Sequence, residues 1–256
     1  MFAVPSYERP PVREALIDIR VNRLPAEKLP ALEKLHEALR AQYPHKRPQQ
    51  TWEGKFEFRE DALLSAQKAY GITGFHFESD DKKRIIQYRL DGFTCNFLKP
   101  DPKERWPGWE ALRDEAKRAW ELYANSVGIV EVKRLAVRYI NQIVIPAPIV
   151  ELSDYLTAPP SAPKDCKYQD FRDFLSRVTL DIPELNAIAI VTQAPAQEMQ
   201  PDSVHLLLDI DVIRAEALPA HTEAMWRILE RFRDIKNEVF EKSLHQKAKD
   251  LFGPLQ

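Results

Sequence analysis

The sequence predicts an α+β protein, a curved antiparallel sheet with long helices on one face. Three observations carry that reading. Several runs alternate apolar and polar side chains, the period-two signature of strands that bury one face. Two stretches, 109–123 and 225–240, repeat their apolar residues at helical spacing instead. The order strand, helix, strands, helix occurs twice, over 14–125 and over 133–250. The chain therefore reads as two α+β halves, 1–130 and 131–256, in one continuous unit, possible pseudo-repeats of each other.

The elements follow in order. After a proline-studded start, residues 14–21 place Ala15, Ile17, Ile19 and Val21 on one side and Asp18 and Arg20 on the other. Leu29, Leu32, Leu35, His36 and Leu39 then fall at helical spacing, with Pro25 and Pro30 at the entry and Pro44 beyond the end. His36 is expected to pack at the edge of that stripe. Three alternating runs follow: 51–59, with Phe56 and Phe58 on one side; 74–79, with Phe75 and Phe77 flanking His76; and 84–98, one long strand or two joined near Gly92. Leu112, Ala116, Ala119, Trp120 and Tyr123 form the buried stripe of the first long helix. Trp106 and Trp109, where its connector joins it, are read as core anchors in preference to a ligand platform.

In the second half, Leu135, Val137, Tyr139, Asn141, Ile143 and Ile145 share a strand face, and Asn141 there needs a partner for its amide. Residues 151–156 suggest a helical turn, and 157–167 is the most linker-like stretch. Three further strands lead to a helix with Met225, Leu229, Phe232, Ile235, Val239 and Phe240 inside. Arg231, Arg233 and Lys236 with Glu230, Asp234 and Glu238 are read as its solvated face, and Asn237 is an odd choice for a helix interior. Asp91 precedes Trp109 by about the interval that separates Asp209 from Trp226, which aligns the halves. This order of elements resembles the saddle of TATA-binding-protein-like folds, an analogy of shape alone. A helix-grip arrangement is the alternative.

Composition narrows function by exclusion. With 256 residues, 44% hydrophobic and 30% charged, the chain builds an ordinary globular core. A net charge of -2 argues against a sequence-independent grip on nucleic acid, which needs clustered Lys and Arg to displace counterions. Cys95 and Cys166 stand apart with no CxxC spacing, so two free thiols in a reducing cytosol are expected. Twenty prolines against 7 glycines leave no glycine-rich phosphate loop, and no cofactor is expected. No apolar run approaches the roughly 20 residues that span a bilayer, and no signal-peptide core opens the chain; a cytoplasmic protein with no membrane partner is expected.

The segments PPVREALIDIRV, RLAVRYINQIVIP, LLLDIDV and RFRDIKNEVFEKSL, taken together, resemble a sporadically distributed prokaryotic family with no established activity. The resemblance covers nearly the whole chain. It implies a cytoplasmic prokaryotic protein and carries over no catalytic residues.

With helices on one face, the other face would gather Asp18, Arg20, Arg89, Asp91, Arg138, His205, Asp209 and Asp211, and a ligand site is sought there. Asp209 and Asp211, two apart on one strand, point the same way about 6 to 7 Å apart by strand rise. Such a pair suits a divalent cation or a division of acid and base roles; the competing reading is cross-strand pairing with Arg. Arg138 suits a bidentate grip on a carboxylate or phosphate, against the same competitor. No nucleophile has a catalytic context. The expectation is a binding or interaction protein using the polar sheet face. The alternatives are a divalent-metal-dependent hydrolase or nuclease at Asp209 and Asp211, and a homo-oligomeric scaffold; a protein partner or a second copy is the expected partner.

Overall fold

The computed structural model describes residues 7–59, 62–100, 104–129, 131–146, 151–169, 173–196 and 202–253, with side chains for all of these except 51–70. Strand β1 (Val12–Arg20) is followed by a 3-10 turn (Ala26–Lys28) and two short helices, α1 (Leu29–Lys34) and α2 (His36–Leu39). Four strands come next: β2 (His45–Arg59), β3 (Ala62–Glu78), β4 (Arg84–Arg89) and β5 (Gly92–Leu98). Helix α3 (Gly108–Val127) closes the first half, ending on Gly128 with φ of 73°, the left-handed cap that glycine adopts without strain. The second half runs β6 (Glu131–Val132), β7 (Arg134–Pro146), β8 (Ser176–Ile182), β9 (Ala187–Pro195), β10 (Ser203–Arg214) and β11 (Leu218–Pro219). Helices α4 (Glu223–Ser243) and α5 (Gln246–Asp250) complete it.

Nine strands form one antiparallel sheet in the order β2-β3-β4-β5-β1-β7-β10-β9-β8, and β6 pairs separately with β11. Reading outward from the β1–β7 seam, β5 mirrors β10, β4 mirrors β9 and β3 mirrors β8; β2 is the strand without a counterpart. The register ties the two halves together. Phe77, Ile86, Cys95, Ile17, Val137, Val212, Ala189 and Leu180 are successive cross-strand partners, one row spanning both halves. Helix α1 packs on β3, α3 on β5 and β1, and α4 on β7 and β10, so the row and its parallels form a single core.

The halves are not equal. The first connects its opening strand to the next through α1 and α2, whose Leu32 and Leu39 are buried. Among the described residues the second has a 3-10 turn at Leu152–Asp154 in that place, and Leu156 bridges to Leu244. One end of the row is therefore covered and the other is not: Phe77 is 0% exposed and Leu180 41%.

Several expectations resolve here. The run 84–98 is two strands joined by a short turn before Gly92, where a Cβ would sit 2.3 Å from the Ile19 carbonyl oxygen of the neighbouring β1. The helix expected across 29–39 breaks at Leu35. His36 packs as expected, stacked on Phe77 with Nε2 2.9 Å from the Tyr43 carbonyl. Asn141 is buried and donates to the Leu208 carbonyl at 3.0 Å. The alternation of Phe56 and Phe58 concerns side chains outside the described residues. The Asp91–Asp209 correspondence fails, because Asp91 lies in the β4–β5 turn and Asp209 lies mid-strand in β10. The solvated placement of Lys236 also fails. Met225, Leu229, Phe232, Lys236 and Phe240 make one inward stripe, and Lys236 is 8% exposed.

Candidate functional site

Alternation along β1 that turns Ile17 and Ile19 inward turns Asp18 to the helix-free side, where three strands converge on it. Its Oδ1 accepts from Arg89 Nη2 at 2.9 Å and from the Thr94 hydroxyl at 2.7 Å. Its Oδ2 accepts from Arg20 Nε at 3.0 Å and from Arg134 Nη1 at 2.5 Å. Asp91 adds a second carboxylate for Arg20, at 2.7 Å, and for Arg89, at 3.3 Å. A wet surface was expected; instead Asp18 and Arg89 are each only 6% exposed, since the long side chains around them form a polar layer over the strands. Burial pushes the Asp18 carboxyl up, but the guanidiniums of Arg20, Arg89 and Arg134 and the Thr94 hydroxyl outweigh it and hold it below its usual range.

A second cluster sits across the seam. Arg138 grips Asp209 with two bonds, Nε to Oδ1 at 2.9 Å and Nη2 to Oδ2 at 2.6 Å. Asp211, the register partner of Arg138, lacks such a grip: Arg134 Nη2 is 3.8 Å away, and Oδ1 is buried with no hydrogen-bond partner among the described residues. Burial pushes the Asp211 carboxyl up to about 6, with the charges of Asp209 and Asp18 adding to the shift and Arg134 and Arg138 opposing it. His205 lies apart, near the far end of β10. Its Nδ1 is 2.8 Å from Gln142 Nε2 and its Nε2 2.8 Å from the Ser203 hydroxyl.

The structure thus brings Asp18, Arg20, Arg89 and Asp91 together, joins them through Arg134 to Asp211, places Arg138 and Asp209 beside that, and leaves His205 separate. Arg134, Thr94 and Gln142 were not singled out from sequence; Arg134 reaches Asp18, two residues from its register partner Arg20, only once β1 and β7 pair. Around the second cluster the same face carries half-buried aliphatics: Leu16, Ile140, Leu207, Ile190, Ile188 and Ile213. Leu16 adjoins Arg138 across the seam, and Ile190 adjoins Asp211.

With Asp209 held by Arg138, the i, i+2 pair offers a cation one open carboxylate. Among the described residues no three His, Cys, Asp or Glu side chains converge as a metal set. Cys95 is buried and Cys166 partly so, both as free thiols, and burial pushes the Cys95 thiol well above its usual value. No helix is long and apolar enough to cross a membrane among the described residues. Comparison with protein-family models, with curated proteins and with solved structures finds no match.

Proposed function

We propose that this chain is a binding protein whose helix-free sheet face receives a segment of a partner protein. One observation carries the reading: the half-buried aliphatic rows beside the Arg138–Asp209–Asp211 cluster. Apolar side chains flanking pre-paired charges give a partner both area to bury and fixed polar groups to match. The Asp211 carboxylate, whose side chain stays 19% exposed and has no bidentate grip, supplies an acceptor suited to an amide or cationic donor from the partner. The charge pattern favours protein over nucleic acid. Arg20, Arg89, Arg134 and Arg138 each already hold a carboxylate, so none of them stands open for a phosphate.

A photo-crosslinking residue at Thr192, on the helix-free face of β9, tests this against one at Glu121, exposed on α3. Crosslinking in the native cell is expected to join a discrete second protein from Thr192 and not from Glu121. Purified partner is then expected to bind Asp211→Lys at least ten times more weakly, the order that loss of one buried polar contact produces. Crosslinks from Glu121 alone, or none from either position, overturn the reading. Self-crosslinking from Thr192 makes the partner a second copy of this chain.

A further inference from the structure

On the opposite, helix-covered side a cavity of about 410 Å³ opens where α4, the start of α3, β7 and the segment before β1 meet. Three buried polar side chains line it with unspent capacity. Lys236 points its ammonium at the Tyr139 ring, 3.7 Å from the centroid, and has no hydrogen bond or ion pair among the described residues. Asn237, also 8% exposed, makes no side-chain hydrogen bond among the described residues. Asn141 spends its amide nitrogen on the Leu208 carbonyl, and its Oδ1 accepts nothing among them. These groups line the cavity with their capacity unspent, so an occupant there gains hydrogen bonds that the protein itself does not use.

The remaining charges fix the sign of that occupant. Arg233, paired with Asp234 at 2.9 Å and Glu230 at 3.4 Å, and Arg105 stand at the cavity edge, and neither Tyr7 nor Tyr139 brings a charge. Glu241 is committed to the Tyr7 hydroxyl at 2.9 Å and to Lys249 at 3.1 Å, and Glu110 is exposed. A cationic ligand would face the unpaired Lys236, and a neutral one would leave it unpaired. Trp106, Trp109 and Phe240 supply a flat apolar wall, so the ligand needs an apolar body as well. One buried cation among aromatic rings suits a single carboxylate better than a phosphate dianion, which draws on several donors.

We propose that this cavity binds a small aromatic carboxylate, its acid group paired with Lys236 and Asn237 and its ring laid against Trp106 and Trp109. The site lies on the other side of the sheet from the partner-binding face and stands independently of it. Burial and the neighbouring Arg233 hold the Lys236 amine down to about 7, with Glu241 opposing. A bound carboxylate favours the ammonium, so binding takes up a proton above neutral pH and weakens as pH rises.

The test is titration of the intact protein with phenylacetate and its neutral analogue phenylacetamide, followed by tryptophan fluorescence and by ligand-observed NMR. Saturable phenylacetate binding is expected, at least about tenfold tighter than phenylacetamide and about tenfold or more weaker at pH 8.5 than at pH 6.5. Lys236→Gln is expected to lose at least about tenfold in phenylacetate affinity while keeping its circular dichroism. No saturable binding of the acid, equal affinity for acid and amide, or unchanged affinity in Lys236→Gln each overturns the proposal. If Lys236→Gln fails to fold, the acid–amide pair and the pH series in the unaltered protein decide it.

Discussion

Lys236 and Tyr139 meet across the helix–sheet interface, the ammonium 3.7 Å from the ring centroid, in the stripe that Leu229, Phe232 and Phe240 otherwise fill with hydrocarbon. A cation over an aromatic face regains part of what it loses in leaving water, though less than a carboxylate would return. The helix therefore carries a destabilising residue at a position where an apolar one would pack.

Replacing it should stabilise the fold. Lys236→Met keeps the volume and removes the charge, and at pH 6 the gain is expected on the order of 1–3 kcal/mol. The native amine titrates near 7, the unfolded one near 10.5. Between those values the unfolded chain binds the extra proton, so the unaltered protein gains stability as pH rises and the advantage of the variant shrinks. Denaturant midpoints at pH 6 and pH 9 measure both effects; a variant less stable than the parent at pH 6 contradicts them.

Asp211 has the opposite sign. Its native carboxyl titrates near 6, above the ordinary 3.8, so the folded state holds a proton that the unfolded state releases. The parent is expected to lose stability as pH rises from about 4 to about 6, by roughly 1–2 kcal/mol, and Asp211→Asn to lose much less. Urea melts across pH 4 to 7.5 check this. An identical slope in both proteins would exclude Asp211 as its source.

Asp18 anchors three guanidiniums, so its removal leaves them facing one another. Asp18→Ala is expected to cost roughly 3–5 kcal/mol at pH 7, the range for breaking a buried ion pair. Because the native carboxyl titrates below its unfolded value, its contribution is present above that unfolded value and lost as pH falls through the native one. Removing Arg134 as well should recover part of the loss. A double-mutant cycle in denaturant reports that coupling, and strict additivity would mean the contact carries no energy.

The two ends of the cross-sheet row should respond unequally to truncation. Phe77→Ala opens a cavity beneath α1 and α2 and is expected to cost roughly 3–5 kcal/mol. Leu180→Ala, at the uncovered end, is expected to cost under about 1 kcal/mol, as surface substitutions do. Thermal melts of the two variants compare them directly, and equal losses would place a cover over Leu180.

How far the sequence leads depends on the range of the interaction. Alternation at Ala15, Ile17 and Ile19 and at Leu206, Leu208, Ile210 and Val212 is a local property, and the inward faces follow from it. The duplicated order of elements is also local, and it leads to the α+β fold and the single helical layer. Asp18, Arg20, Arg89, Arg138 and Asp209 are legible as residents of the other face, but their partners are not. That Arg138 meets Asp209, and Arg134 meets Asp18, depends on strand registers that no short window contains. Lys236 shows the converse failure. Its spacing from Leu229 and Phe232 placed it inside, and its chemistry argued for placing it outside; spacing was the better guide.

The exposure of the outer strand of the second half has a consequence for how the molecule behaves in company. Strand β8 is the last in the sheet, so its outward amides and carbonyls meet no tenth strand among the described residues, and Val178 and Leu180 are exposed along it. Such a rim is a template for strand addition by any extended chain that reaches it. What stands guard is charge, in Arg177 and Asp181, both exposed. The first half shelters Phe77 under folded chain, whereas Val178 and Leu180 rely on electrostatic deterrence, a protection that salt can screen.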